Sequence, residues 1–366
     1  MALDLLDAVY GCLIGGAIGD ALGAPVEGRN YWEIREEYGR LEDLVASSRG
    51  NTNHLPGGVT GGTALRQYVA LAIVRKEGRI VPNDLAALWI DRGNSELFGS
   101  NERVVHEKLS WGVNPWDSGR GGNLSGTATM ALAPVGIINA ANPAQAYQDG
   151  YTLGSVIQDR EERDAAATLV AGVATAVIPG ATLSDVVTAM NQYSSELVRR
   201  AIELTLDLAF TSGSIEEFTQ AYYAQMADWR TLQPPHRIQP VPDGYPARAQ
   251  YNSSSSLERI PVALALLHLC GGDVNDCIIE GANFGRNCNA IASIVGCIAG
   301  ALQGATPIRG DWIDACESAN RDLCAALEDD RTASFYSMAW RLVSALNAER
   351  RATESRLKVL DKLLGK

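Results

Sequence analysis

The sequence predicts an all-α fold, a compact single-domain helical bundle over residues 1–366. Two apolar stretches, 10–28 and 283–304, carry glycine at every fourth residue. This spacing places the glycines on one helix face and lets another backbone approach closely. Most of the remaining chain shows apolar residues at helical spacing, and strand alternation is almost absent. Because the two glycine-faced helices stand near opposite ends of the chain, we expect them to meet in one shared core.

Composition and charge exclude several classes of function. The 366 residues include 31 Lys and Arg against 43 Asp and Glu, a formal net charge of −12. Such an acidic protein is a poor match for nucleic acid or an anionic membrane surface, so we expect neither partner. We expect no segment long and apolar enough to cross a bilayer, and Asp4 and Asp7 argue against a signal peptide.

The cysteines favour a reducing compartment. Their number, seven, is odd, and several lie in apolar helical patterns, so we expect a cytoplasmic protein. No Cys-x-x-Cys or His-x-x-x-His spacing offers a zinc site.

Helices are predicted along most of the chain. The first covers residues 8–24, and Pro25 ends it because proline has no N–H to donate. Asn83 and Asp84 are expected to cap a short helix that runs to Asp91. The other stretches with helical spacing are 63–76, 130–138, 144–159, 161–178, 183–209, 214–226 and 257 almost to the end.

Three segments depart from this pattern. Residues 92–125 are rich in Gly, Asn, Trp and Ser, and residues 231–256 are rich in Pro and Ser. Long irregular segments inside a domain are usually functional or disordered, and we expect both of these to face a substrate. Residues 347–366 are charged and amphipathic and are predicted to form a helical tail on the surface.

Four polar motifs accompany the helices. The turns at the ends of the two glycine-faced helices carry polar side chains, so we expect these ends to share one site. The motifs are Gly19-Asp20 with Gly23-Ala24-Pro25-Val26-Glu27, Thr60-Gly61-Gly62-Thr63, Met130-Ala131-Leu132-Ala133-Pro134, and Gly285-Arg286-Asn287-Cys288-Asn289-Ala290.

In this order, the motifs resemble those of the ADP-ribosylglycohydrolase family, which includes the dinitrogen reductase-activating glycohydrolases. The family has a Gly-Asp pair with a Gly-x-Pro-x-Glu turn, then Thr-Asp-Asp-Thr, Met-Arg-x-x-Pro, and Gly-Gly-Asp-Thr-Asp-Thr followed by spaced glycines. The likeness runs from about residue 8 to about residue 315. It implies an all-α fold and hydrolysis of an N- or O-glycosidic bond at ribose.

The resemblance also implies a metal site whose ligands this chain lacks. Relatives hold two Mg²⁺ ions through the Asp residues of Thr-Asp-Asp-Thr and Asp-Thr-Asp-Thr. Here Gly61 and Gly62 replace the first pair, and Asn287 and Asn289 replace the second. Because Mg²⁺ requires oxygen ligands that include carboxylates, we predict no metal ligand, no binuclear magnesium site and no cofactor.

Two functions remain open. In the first, the chain is a metal-independent glycoside hydrolase, with Glu27 as acid/base and Asp20 either as the group that orients Glu27 or as a second carboxyl. Its substrate is a small ribosyl molecule, nucleoside-like or a sugar conjugate, and the protein is a monomer or small homo-oligomer. In the second, it is a catalytically inactive binding or structural protein of the same fold. The predicted substrate-binding residues are Thr60, Gly61, Gly62, Thr63, Trp111, Trp116, Ser125, Gly126, Asn287 and Asn289.

Overall fold

The computed structural model describes residues 4–46, 55–93, 98–122, 126–225 and 255–365. Within these ranges the chain forms α-helices and no β-strand, and the extended pairing is one isolated bridge between Asn30 and Gly285. The predicted all-α fold is therefore confirmed. In chain order the helices are α1 (Leu5–Gly23), α2 (Tyr31–Tyr38), α3 (Gly61–Lys76), α4 (Pro82–Arg92), α5 (Ser100–Ser110), α6 (Thr127–Ala131), α7 (Ala133–Ile138), α8 (Pro143–Ile157), α9 (Arg160–Ala176), α10 (Leu183–Tyr193), α11 (Glu196–Thr211), α12 (Ile215–Gln225), α13 (Ser256–Leu269), α14 (Val274–Asn283), α15 (Cys288–Gln303), α16 (Gly310–Ala319), α17 (Arg321–Glu328) and α18 (Phe335–Leu363).

The two glycine-faced helices, α1 and α15, lie in direct backbone contact. A Cβ added to Gly300 would lie 2.0 Å from the carbonyl oxygen of Gly11, and one added to Gly15 would lie 2.5 Å from that of Gly296. Real Cβ atoms do not approach other atoms so closely, so only glycine fits at these positions. The predicted meeting of the two helices is confirmed, and it brings the C-terminal end of α1 beside the N-terminal end of α15.

The prediction that no segment is long and apolar enough to cross a bilayer was wrong for one stretch. Leu5–Val26 spans 22 residues with a mean hydropathy of 1.5, which meets the length and composition of a membrane span. In this fold most of the stretch is buried against other helices. A helix at the centre of a protein core is apolar on all sides, as a membrane-spanning helix is.

Three predicted helix boundaries were also wrong. The stretch 183–209 is two helices, because Ser195 leaves the helical conformation and its Oγ accepts from the N–H of Val198 as the cap of α11. The stretch 130–138 breaks at Leu132, since Pro134 favours the first turn of a new helix. Asp84 lies inside the first turn of α4, where it accepts from the N–H of Val81 at 3.0 Å.

The prediction of an irregular segment over 92–125 was wrong for its central part, which forms α5. Glu102, Val105 and Leu109 are buried on one face of this helix. Only two of these three residues are apolar, so helical spacing was hard to recognise in the sequence. The substrate-facing prediction for 231–256 lies almost entirely outside the described residues.

The buried apolar side chains of the described helices form one cluster that runs from Val9 to Ala345. The single domain over 1–366 stays a prediction. At the C-terminal end, α18 continues to Leu363, and residues 350–365 are exposed along their whole length.

Candidate active site

The candidate site lies where the end of α1 meets the start of α15. The turn after α1 is paired with the turn before α15: the N–H of Gly28 donates to the carbonyl of Arg286 at 2.6 Å, and the N–H of Arg286 donates to that of Arg29 at 2.5 Å. Gly285 has a φ of +83°, so the sharp turn at this point suits glycine. We call residues 27–30 and 285–287 the loop pair.

Asp20 is fully buried in the last turns of α1 and joins three elements. Its carboxylate accepts from the backbone N–H of Thr60 at 2.8 Å, from the hydroxyl of Thr60 at 2.9 Å, and from the Nδ2 of Asn289 at 3.3 Å. Burial raises the pKa of the Asp20 carboxyl, while the hydrogen bonds that Thr60 donates oppose the rise. Asp20 therefore fixes the N-terminal ends of α3 and α15 relative to α1.

Asp20→Asn is expected to alter stability in a pH-dependent way. Because the pKa of Asp20 is raised on folding, its proton favours the folded state below the unfolded value of about 4. That contribution is lost as the pH rises through the folded pKa, so the free energy of unfolding of the parent should fall relative to that of Asp20→Asn as the pH is raised. Urea unfolding at a series of pH values measures the difference.

The matched control for this prediction is Asp361→Asn, at an exposed position on α18. A difference between the parent and Asp20→Asn that stays constant with pH, or grows in favour of the parent, would show that burial does not dominate at Asp20.

Glu27 lies in the loop pair and is partly exposed. Its Oε1 accepts from the Nδ2 of Asn287 at 3.1 Å. Burial raises the pKa of Glu27; the charge of Arg259 lowers it, the charge of Asp20 raises it and the Asn287 hydrogen bond lowers it. A carboxyl that is held in place, reachable from solvent and raised in pKa is suited to proton transfer.

The four motif positions at which relatives carry metal-binding Asp hold Gly61, Gly62, Asn287 and Asn289 in this chain. A Cβ on Gly62 would lie 2.7 Å from the Sδ of Met130, so this buried methionine occupies the space that a side chain at position 62 would need. Among the described residues, no group of three or more His, Cys, Asp and Glu is placed to hold a metal ion. Asp20 already accepts from Thr60 and Asn289. The residues present therefore do not fit a pair of Mg²⁺ ions.

Asn289 offers one acceptor to a ligand. Its Oδ1 is buried and has no hydrogen-bond partner within the described part of the chain, although its Nδ2 is engaged by Asp20. Buried polar atoms are normally paired, so this oxygen is suited to a substrate hydroxyl. Asn287, Asn289, Asp20, Glu27 and Thr60 are the predicted site residues that hydrogen bonds bring together.

Of the two predicted tryptophans, one is hydrogen-bonded to α4 and the other is largely exposed. Trp116 donates from Nε1 to the Oδ1 of Asn83 at the start of α4, at 2.9 Å, and Trp111 is 80% exposed at the end of α5. Gly126 begins α6 in the left-handed region with a φ of +58°, and Ser125 lies outside the described residues.

A cluster of buried charges behind Glu27 was missed from the sequence. Arg259 is 1% exposed, and the negative charges of Glu162, Glu27, Glu258 and Glu102 oppose the lowering of its pKa by burial. Glu162 accepts from the N–H of Ser256, and Glu102 accepts from the hydroxyl of Thr127. The available signal was the charged pair Glu258-Arg259 inside an apolar helical pattern, because charged residues are rarely buried without partners.

A groove of about 230 Å³ lies beside the loop pair, between α2, α12 and α14. Its lining includes Tyr31 and Phe284, which flank the bridge between Asn30 and Gly285. Glu27 is not among its lining residues, so the groove and the candidate site are neighbours rather than one cavity.

Comparison with known proteins gives a family match and distant relatives. A family model described as ADP-ribosylglycohydrolase matches residues 1–347. An uncharacterized protein of Archaeoglobus fulgidus is 28% identical over 83% of this chain and 89% of its own length, and the Escherichia coli protein YegU is 23% identical over 82% and 89%. The ADP-ribosyl-[dinitrogen reductase] glycohydrolase of Rhodospirillum rubrum is 30% identical over 38% of this chain and 47% of its own length.

Proposed function

The chain belongs to the ADP-ribosylglycohydrolase family, and from this premise we propose that it is a glycoside hydrolase that acts on a ribosyl bond without magnesium. Membership of the family points to hydrolysis of a glycosidic bond in an ADP-ribose-like substrate. The observation that carries the finer proposal is Glu27, a partly exposed carboxyl with a raised pKa that Asn287 holds at 3.1 Å.

In the proposed mechanism Glu27 handles the proton. In its protonated form, the carboxyl gives its proton to the leaving oxygen or nitrogen as the bond to the ribose carbon breaks. Water then adds to the oxocarbenium-like carbon, and the Glu27 carboxylate takes the proton that this water releases. Asp20 acts behind Glu27 by holding Thr60 and Asn289 in place, and the Oδ1 of Asn289 accepts from a sugar hydroxyl.

The charges near the site favour a substrate smaller and less charged than ADP-ribose. A diphosphate needs cationic groups that are free to meet it. Arg286 is held by Glu258, and Arg259 is surrounded by glutamates. Arg66 is fully buried, where it donates to the Met130 carbonyl and to Ser293. Because these arginines are already engaged, the charges near the site support a nucleoside-like molecule or a small sugar conjugate as the substrate.

We expect turnover on this class of substrate to be unchanged by EDTA. The measurement is release of ribose or aglycone from a panel of nucleosides, ribosyl conjugates and ADP-ribosyl compounds, with EDTA or with added Mg²⁺. Glu27→Gln, assayed in parallel, controls for a contaminating hydrolase. We expect no effect of EDTA because positions 61, 62, 287 and 289 all lack the carboxylate that would bind Mg²⁺.

Two results would contradict the proposal in different ways. Activity that appears only with Mg²⁺ would mean that other carboxylates hold the metal. Binding of a ribosyl compound without turnover across the whole panel would favour a catalytically inactive binding protein of the same fold.

A further inference from the structure

Arg286 is the residue that clamps the turn carrying Glu27. Its backbone N–H donates to the carbonyl of Arg29, and its carbonyl accepts from the N–H of Gly28. The next residue, Asn287, donates to Glu27 itself. The position of the Glu27 carboxyl therefore depends on where the backbone of Arg286 lies.

The backbone of Arg286 adopts a conformation that an arginine does not favour. Its φ is +62°, in the left-handed region that glycine enters without steric cost. The family motif has glycine at this position. A non-glycine residue held in this region requires surroundings that over-determine it, and such residues cluster at functional sites.

The side chain of Arg286 supplies what a glycine lacks. Its Nε donates to Oε1 of Glu258 at 2.7 Å and its second amino group donates to Oε2 at 2.8 Å, a bidentate pair. The Arg286 and Glu258 side chains are 6% and 0% exposed. Glu258 lies in the first turn of α13, so this ion pair ties the loop pair to a buried helix.

A buried ion pair of this kind contributes more to the position of the residues it joins than to the free energy of unfolding. Two buried charges lose their hydration, and their mutual attraction often does little more than offset the free energy of that desolvation. The two parallel hydrogen bonds of a bidentate pair do fix the distance and the angle between the guanidinium and the carboxylate. The hydroxyl of Tyr223 reinforces the same place by donating to the carbonyl of Phe284 at 2.8 Å.

We propose that the Arg286–Glu258 pair is a positioning pair for Glu27, which fixes the turn at residues 27–30 in the geometry that proton transfer needs. This inference rests on the proposed hydrolase function. Arg286 acts through Gly28, Arg29 and Asn287 and touches no substrate, so it is a positioning residue. The pair gives the site a rigidity that ligation to metal ions would otherwise supply.

The test uses Arg286→Gly, which suits the left-handed backbone and removes the fork. The double variant Arg286→Gly with Glu258→Gln avoids leaving a buried carboxylate alone. We expect both to lower kcat about 10- to 100-fold with KM within about threefold, because small misplacements of a catalytic group have effects of this size. Arg286→Lys, which keeps the charge and loses the fork, should recover part of the rate.

A second readout does not depend on turnover. The side-chain amide resonance of Asn287, assigned with Asn287→Ser, reports its hydrogen bond to Glu27 in a ¹⁵N correlation spectrum. We expect this resonance to shift or broaden in Arg286→Gly and to stay unchanged in Leu342→Ala. Leu342 is fully buried in α18, so its truncation destabilises the core away from the loop pair and controls for loss of stability alone.

The outcomes separate the two proposals. An unchanged Asn287 resonance in Arg286→Gly, or a kcat within about threefold of the parent, overturns the positioning pair. An equal loss of kcat in Leu342→Ala also overturns it, since the effect would then follow stability. A parent that turns over no substrate overturns the hydrolase function, whereas the Asn287 resonance still decides whether Arg286 positions Glu27.

Discussion

Glu27→Gln is expected to lower kcat by about 10²- to 10⁴-fold while the substrate still binds. The amide keeps the shape of the side chain but cannot transfer a proton. Binding should survive because the proposed contacts to the sugar come from Asn289 and its neighbours rather than from Glu27. Single-turnover rates, with a separate measurement of Kd by calorimetry, test both halves of the prediction.

Glu36→Gln is the matched control, because Glu36 is exposed on α2, close in sequence to the loop pair. A Glu27→Gln rate within about threefold of the parent, a change in barrier of less than about 1 kcal/mol, would exclude Glu27 as the catalyst. Attention would then move to Asp117, in the loop after α5, and to Asp159, whose carboxylate accepts from the N–H of Arg160. A third candidate acid, Glu96, lies outside the described residues.

Gly300→Ala should destabilise the protein by at least about 3 kcal/mol, the upper part of the range for overpacked cores. Alanine favours a helix over glycine by about 1 kcal/mol, but the new methyl group would lie 2.0 Å from the carbonyl oxygen of Gly11. Both surfaces are helix backbone, so neither can move aside as a flexible side chain would. Chemical denaturation, read by circular dichroism, measures the loss.

Gly310→Ala provides the control, because nothing lies within 4 Å of the place its Cβ would take. Gly310 begins α16, and we expect a change of no more than about 1 kcal/mol, in the stabilising direction. If Gly300→Ala and Gly310→Ala had the same midpoint of denaturant unfolding, this would contradict the close approach of α1 and α15.

The sequence predicted those parts of the fold that depend on local spacing. Glycines four residues apart indicate a close helix contact wherever the partner lies in the chain, so the spacing alone identifies the helix faces that carry Gly11 and Gly300. The motifs then placed Asp20 and Asn289 at one site. The break at Ser195 was missed because apolar spacing continues through it, and only the capping hydroxyl marks the end of one helix and the start of another.

What the sequence could not show depends on tertiary contacts between distant residues. Nothing local indicates that Met130 fills the space beside Gly62. The pairing of Arg286 with Glu258 joins residues 28 positions apart, because the loop pair packs against α13. Three of the four glutamates around Arg259, namely Glu162, Glu27 and Glu102, lie on other segments, and no periodic pattern connects them with it.

The contact between Gly11 and Gly300 also determines when α1 can reach its packed position during synthesis. Cys288 and Gly23, which touch in the folded protein, are 265 residues apart in the chain. At about 5–20 residues per second, the ribosome needs on the order of ten to fifty seconds to produce the partner of α1. Throughout this interval the apolar segment Leu5–Val26 lacks the backbone surface of α15 against which it packs in the folded protein. We therefore expect α1 to reach its folded packing only after α15 has left the ribosome.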